Sequence, residues 1–332
     1  MNGHLPSPVN DPAAALVAGV DTHTDTHTLA ILSAQGGVIA TETFPADGRG
    51  YADMITMLND AGSVAVVGVE GTNSFGAGLT RALVDGGFDV QEVLRPTRQV
   101  RRMDGKSDPI DAVAAARTIL ADHGVSNAKD TTTPAEQVRF LLVARTQLVR
   151  STTAIANSIQ SLLVTAPEQV RAKYRGLNTA SLVTRLSQSR PGKQITDVAD
   201  AAKYTLKHLA QAHTDARQRA DALKKQMHQI LKTHYPRLLA VYGVGPIVAA
   251  QLVVTIGGNT DRVRSEAAFA SLCGVAPIPA SSGKTVRHRL NRGGDRRGNA
   301  ALYQIVLTRM QRDKRTQDYV ERRTQEESRN EK

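Results

Sequence analysis

Tryptophan is absent, cysteine occurs once, and 7 Tyr and 5 Phe are the only other large rings among 332 residues. A lone thiol, Cys273, can form neither an intramolecular disulfide nor a cysteine metal cluster, so nothing points to an oxidising compartment and the cytoplasm is the default. So few rings argue against stacking on splayed bases as the main mode of any nucleic-acid binding. Met1 to Ala15 has no Lys or Arg and no sustained apolar run, so it does not read as a secretory signal. Residues 1–14 are expected to be a flexible leader. Only Leu238 to Thr260 is uncharged and long enough to span a bilayer, for which ~20 apolar residues suffice. Its Gly243, Gly245, Pro246, Gln251, Gly257 and Gly258 would break a helix where lipid offers the backbone no partner, so the run predicts a buried helical hairpin and no membrane span.

Basic residues are scarce at one end. Through Leu94 there are two, Arg49 and Arg81, against eleven acids, a net −9; the chain as a whole carries +11, which leaves +20 for the remainder. Such segregation suggests a basic body that holds a polyanion and an acidic lobe that does something else. Nucleic acid is the leading partner, held mainly through phosphate contacts and therefore weakened by salt.

Leu16 to Asp21, Thr28 to Ser33 and Val38 to Phe44 read as a three-strand meander. Helices are expected at Tyr51 to Leu58 and Ala77 to Val84, a fully buried strand at Val64 to Glu70, and another strand at Phe88 to Leu94. This alternation predicts a mixed α/β sheet covered on both faces, in a lobe spanning 15–122. Beyond Thr131-Thr132-Thr133-Pro134 the texture changes to long helices over 134–234. Leu141, Leu148, Ile155 and Leu162 recur every seventh residue, as do Leu209, Ala216, Leu223 and Ile230. An antiparallel hairpin, an oligomer seam and a plain amphipathic helix packed on its own domain all fit that spacing. A third region, 235–311, opens on Tyr242-Gly-Val-Gly-Pro246. Gly243 and Gly245 could let the backbone approach a phosphate or simply close a tight helical turn. Ala276 to Thr285 reads as a loop, followed by Lys284, Arg287, Arg289, Arg292, Arg296 and Arg297 against one acid, Asp295: a candidate grip on a phosphate backbone. Arg95 to Arg102 is a further basic stretch, and the charged tail 312–332 reads as a solvated helix.

Asp21 closes the first expected strand and Glu70 the buried central one. Asp108 and Asp111, in Lys106-Ser-Asp-Pro-Ile-Asp-Ala112, share one face at a helix start. Four carboxylates brought together repel unless a hard cation neutralises them, and Mg²⁺ prefers such ligands. Two ions ~4 Å apart can activate the attacking oxygen and stabilise the leaving one in phosphodiester transfer. Asp108 before Pro109 would also serve as an ordinary helix cap, with Asp111 complementing the helix dipole. Glu70, at the edge of an apolar core, needs a partner. His23, Asp25 and His27 read as solvated turn residues rather than ligands.

Asp21 in Gly-Val-Asp-Thr-His, Glu70 in Val-Glu-Gly-Thr and the Lys-Ser-Asp-Pro-Ile-Asp-Ala stretch resemble the DEDD insertion-sequence transposases, the group named for insertion sequence one-hundred-ten. Tyr-Gly-Val-Gly-Pro, Leu-Cys-Gly-Val-Ala-Pro and Ser-Ser-Gly-Lys-Thr are similar to that family's carboxy-terminal transposase domain. The resemblance implies an α/β + α architecture: a RuvC-like ribonuclease-H-fold domain, a long helical coiled-coil region for dimerisation and a mostly helical transposase domain. It implies Mg²⁺ held by Asp21, Glu70, Asp108 and Asp111, and a serine nucleophile that maps to Ser282, with Ser281 its close competitor. It further implies a covalent phosphoserine intermediate, a composite site shared between protomers of a dimer or tetramer, DNA element ends and target as substrates, a structured noncoding guide RNA, and a bacterial, nucleoid-associated location. Two other readings stay open on the residues alone: a metal-dependent junction nuclease that cuts with water, and a non-catalytic nucleic-acid-binding protein.

Overall fold

A computed structural model describes residues 16–93, 107–192, 194–283, 285–291 and 293–330, apart from the side chains of Arg262 and residues 327–330. The leader, the basic stretch 95–102, Lys284 and Arg292 lie outside the described residues. The chain divides into two compact units, through Thr132 and from Thr133 onward.

The first unit is built on one six-stranded sheet. Strands β1 (Leu16–Thr22), β2 (Thr26–Leu32) and β3 (Val38–Pro45) form the expected meander, β1 antiparallel to β2 and β2 to β3. After helix α1 (Gly48–Asp60), strand β4 (Val64–Glu70) returns parallel to β1; after α2 (Ala77–Asp85), β5 (Val90–Val93) runs parallel to β4. Helix α3 (Asp108–Leu120) leads to β6 (Val125–Asn127), antiparallel to β5, giving the order β3-β2-β1-β4-β5-β6. That mixed sheet between helices is compatible with a RuvC-like fold. β6 is absent from the sequence expectations because three residues carry no readable alternation; its place is set by pairing with β5 rather than by propensity.

The sheet's two faces follow from alternation along the strands. Ala18 and Val20 of β1 and Val67 and Val69 of β4 pack with Met54 and Leu58 of α1 and Leu79 and Leu83 of α2. Val17 and Val66 face the other way, onto Ala112, Ala115, Ala116 and Ile119 of α3. Between them lie two glycines. A Cβ on Gly19 would sit 2.2 Å from the Ala116 nitrogen and 2.4 Å from the Ala112 oxygen, and one on Gly68 would sit 2.6 Å from Ile119 Cγ1. Their missing side chains let the backbone of α3, itself smoothed by alanines, rest directly on the sheet. Gly19→Ala therefore cannot be absorbed by a rotamer change; α3 must lift. The expected cost is about 1–3 kcal/mol, typical of overpacking, visible in urea denaturation.

The second unit is helical. Helices α4 (Pro134–Thr165) and α7 (Val198–His234) pair along their lengths, and α5 (Glu168–Arg171) and α6 (Thr179–Ser187) occupy the connection. The pairing is antiparallel: Ala135, Val138 and Leu142 at the start of α4 share a core with Met227 and Leu231 at the end of α7, while Ile159 and Leu163 share another with Ala199, Leu206 and Ala210. The sevenfold period is present, but its phase differs from the expected one. The buried α4 positions are Val138, Leu142, Thr152, Ile159 and Leu163, whereas Leu141, Leu148 and Ile155 are half-buried and Leu162 is exposed. In α7 the buried set is Leu206, Ala210, Ala216, Ala220, Met227 and Leu231; Leu209, Leu223 and Ile230 flank it. Counting large aliphatics shifted the stripe, because alanines and Thr152 fill the close-packed seam.

After α8 (Pro236–Leu239), helix α9 (Pro246–Ile256) docks Ala249, Ala250 and Val253 onto the base of the α4–α7 pair. No helix among the described residues is long and apolar enough to cross a membrane. Helix α10 (Glu266–Leu272) precedes a short ribbon of β7 (Ile278–Pro279) and β8 (His288–Arg289), then α11 (Arg296–Arg312) and α12 (Lys314–Asn330). The ribbon replaces the simple loop expected there. Helix α12 is solvated and carries Lys314–Asp318 and Arg323–Glu326 ion pairs, at 2.8 and 2.6 Å, worth a few tenths of a kcal/mol each at such exposure.

Candidate active site

β1 and β4 are parallel neighbours in the register Val20↔Val69, so Asp21 and Glu70 follow side by side at the same edge of the sheet. By alternation both belong to the face that α3 covers. Asp21 is 3% and Glu70 8% exposed, and Thr22 fixes the strand ends by donating its hydroxyl to the Glu70 carbonyl at 2.7 Å. Because α3 begins above this edge, its first turn brings Asp108 and Asp111 toward Asp21.

The capping explanation for Asp108 fails. Ser107 is the N-cap residue, no side chain caps the helix, and Asp108 is its first helical residue. Its carboxylate instead lies 3.3 Å from His23 Nε2, and the same nitrogen is 3.2 Å from Asp21 Oδ2. His23 thus stands between two acids while its side chain stays 43% exposed, partly in solvent as expected. A signal for it exists in the sequence: Asp21-Thr-His is an i, i+2 pair leaving a strand, which puts both side chains on one side. His27 was also expected in solvent, yet it is fully buried, stacked on Tyr51 with ring centroids 5.7 Å apart, and neither ring nitrogen has a hydrogen bond. Asp25 is exposed, as expected.

Burial pushes the Asp21 carboxyl pKa above its ordinary value; His23 opposes the shift, and the neighbouring charges of Asp111 and Asp108 add to it. Those influences bring three of the four acids into one electrostatic group, with Glu70 adjoining through the sheet. One ligand atom each from Asp21, His23 and Asp108 lie within 4.8 Å of one another, and the buried Asp21 Oδ2 has no hydrogen bond. Two carboxylate oxygens and an imidazole nitrogen, with one oxygen unsatisfied in the interior, fit a divalent cation.

Glu70 opens into a cleft of about 380 Å³ lined by Thr22, Gly71, Ser74, Phe75 and Glu92. Glu92 is a fifth acid that sequence reasoning left without a role. Its carboxylate accepts the Thr72 hydroxyl at 2.5 Å, with Asn73 Nδ2 at 3.4 Å, so it braces the loop after Glu70.

The second unit holds the other predicted residues. Ser282 is exposed in the turn beyond β7, where its backbone bridges Thr285 in both directions (3.1 and 3.0 Å) around Gly283 at φ +56°. The Ser281 hydroxyl is engaged: it accepts from the Arg287 amide at 3.3 Å and lies 3.4 Å from the Arg287 carbonyl. No hydrogen bond joins the Ser282 hydroxyl to a described residue. Arg287 and Arg289 are exposed on the returning strand. Arg296 and Arg297 form the exposed first turn of α11, whose amides are capped by Asp295 through bonds of 2.7 and 3.2 Å. Asp295 also accepts the Thr255 hydroxyl at 2.8 Å, tying α11 to α9, so the one acid in the basic run is structural. With the helix end already capped by Asp295, any attraction to phosphate there comes from the exposed Arg296 and Arg297 side chains.

The two glycines of the Gly-x-Gly turn differ in their surroundings. Gly243, at φ +89°, closes a tight turn where a Cβ would sit 3.2 Å from Arg309 Cγ and 3.3 Å from Ile305 of α11, whereas Gly245 opens α9 with no atom within 4 Å of a would-be Cβ.

Residues 18–166 match a family model of transposases, the DEDD type of IS110, and residues 235–321 match the transposase IS116/IS110/IS902 family. A Streptomyces coelicolor protein named "Mini-circle putative transposase for IS117" is 23% identical over 327 residues, covering 82% of this chain and 79% of that protein. The "Insertion element IS110 uncharacterized 43.6 kDa protein" of the same organism is 32% identical over 117 residues, 34% of this chain and 29% of its own length.

Proposed function

We propose, from the premise that the chain belongs to the IS110 family of DEDD transposases, that it cuts, exchanges and rejoins DNA strands with Mg²⁺ held by Asp21, Glu70, Asp108 and Asp111 and with Ser282 as nucleophile. The enzyme is a DNA transposase, and its family implies a divalent metal. The observation that supports the finer reading is Asp108 within ligand reach of the buried Asp21, with Asp111 near enough for its charge to raise the Asp21 pKa. Mg²⁺ in that position would offset carboxylate repulsion and stabilise charge developing on the phosphate oxygens.

The chain's own residues account for the rest. Burial of Asp21 leaves its carboxylate poorly hydrated, so a cation beside it would offset the cost of keeping it charged. Arg287, Arg289, Arg296 and Arg297 bind phosphates flanking the scissile bond; Lys284 and Arg292 belong to the same basic run. The Ser282 Oγ attacks phosphorus, a Ser–O–P bond forms as one P–O bond of the DNA breaks, and the proton passes to the departing oxygen. Reversal against a different strand end rejoins the DNA. That the acids and the serine combine across protomers of a dimer or tetramer, through the 134–234 helices, and that a structured noncoding RNA selects the sites, are parts of the same proposal. The basic remainder with few rings supports guidance by base pairing, since such a protein holds backbones rather than reading bases. The same partners would keep it with the bacterial nucleoid.

Purification from the native cell followed by sequencing of bound RNA tests the guided reading. A single enriched noncoding RNA that supports Mg²⁺-dependent recombination of the element's ends is the expected result. Recombination without RNA, or cleavage releasing free ends with no protein attached, would instead indicate unguided transposition or a water-using nuclease.

A further inference from the structure

We infer that His23 is itself a ligand of the divalent cation, making the site a mixed nitrogen–oxygen centre that holds Mn²⁺ more tightly than Mg²⁺. The inference rests on the metal-binding reading of Asp21 and Asp108 and adds a third donor that the family's four acids do not include.

Three observations carry it. First, His23 Nε2 lies 3.2 Å from Asp21 Oδ2 and 3.3 Å from Asp108 Oδ1, so it faces both carboxylates at once instead of pairing with one. Second, Asp21 Oδ2 and His23 Nε2 are both shielded from solvent and find no well-aligned hydrogen-bond partner, with the Asp21 side chain only 4% exposed while the rest of the His23 ring is 43% exposed. With Asp108 they place three ligand atoms within 4.8 Å of one another, a spacing that ligands of one ion can adopt. Third, the backbone holds the ring there: the His23 amide donates to the Thr26 carbonyl at 3.0 Å, closing the β1–β2 turn, so the imidazole is presented by the hairpin rather than by a mobile loop.

The chemical consequence is selectivity. Mg²⁺ favours oxygen donors almost exclusively, whereas an imidazole suits transition metals. A site of two carboxylates and one imidazole should therefore rank Mn²⁺ above Mg²⁺, with His23 responsible for the difference.

The test uses the full-length protein and Mn²⁺ or Mg²⁺ alone. Pulsed electron paramagnetic resonance of the Mn²⁺-loaded protein is expected to show a directly bound nitrogen that changes signature when the histidines carry ¹⁵N and vanishes in His23→Ala. Calorimetric titration should find Mn²⁺ bound at least about tenfold more tightly than Mg²⁺ in the wild type, and His23→Ala should remove most of that preference while leaving Mg²⁺ affinity within a few-fold. A wild-type Mn²⁺ spectrum without nitrogen coupling overturns the inference, and needs no variant to fold. Asp21→Asn separates the two levels: if it leaves metal binding intact, the metal reading of the acids itself fails; if it abolishes binding while Mn²⁺ shows no nitrogen, only the role of His23 falls.

Discussion

Asp21→Asn is expected to abolish DNA strand cleavage, by about 10³-fold or more, while making the metal-free protein more stable at neutral pH. Loss of a charged ligand forfeits several kcal/mol of transition-state charge stabilisation, and each 1.4 kcal/mol is about a factor of ten. The stability effect has the opposite sign because the folded protein keeps a carboxylate under the α3 helix at a cost. Burial raises the Asp21 pKa in the folded state, so its folded form binds more protons than the unfolded one over the interval between the two pKa values. Stability therefore falls as pH rises through that interval and stays low above it. An asparagine does not titrate, and the penalty disappears. Thermal melts in chelator at pH 4 and pH 7.5 should show the variant gaining on the wild type as pH rises, and saturating divalent metal should reverse the order by stabilising only the wild type. A variant that cleaves normally, or that melts lower than the wild type in chelator at pH 7.5, is incompatible with Asp21 as a buried ligand.

The second large effect concerns the serine. Ser282→Ala should eliminate the covalent protein–DNA adduct, detectable as a protease-sensitive band shift under denaturing conditions, with DNA affinity changed by less than about twofold because phosphate contacts come from the arginines. Ser281→Ala should retain the adduct. The distinction follows from the turn: Ser281 spends its hydroxyl on the Arg287 backbone, whereas the Ser282 side chain is exposed and makes no hydrogen bond to a described residue. An adduct that survives Ser282→Ala and disappears in Ser281→Ala would move the nucleophile by one residue. Loss in neither would remove the serine mechanism and favour attack by water.

Much of the first unit was legible because its strands are short runs of one character between strong turn signals. Val64 to Glu70 was read to the residue, and the meander to within two residues at either end. Three features were not legible, each for a physical reason. β6 exists by pairing with β5, not by pattern. The α4–α7 seam is made of alanines, Thr152 and Met227 as much as leucines, so a search for large aliphatics found the right period in the wrong phase. The pairing of the half-exposed His23 with Asp108 depends on α3 descending onto Gly19 and Gly68, a contact between segments distant in sequence that local pattern cannot report. The basic run was legible as charge, but only the fold separates Asp295, which caps α11, from the arginines it leaves exposed.

The length of the helical pair has a mechanical meaning. At 1.5 Å per residue, the 37 residues of α7 extend about 55 Å, which is the contour of roughly 16 base pairs of duplex at 3.4 Å each. The two cores that hold the pair together sit at opposite ends of that span, one where α9 docks and one around α6. The pair is therefore a strut clamped at both ends, with Ala249, Ala250 and Val253 packed into the clamp at its base, so a side chain that loosens either core acts on a span as long as that stretch of duplex.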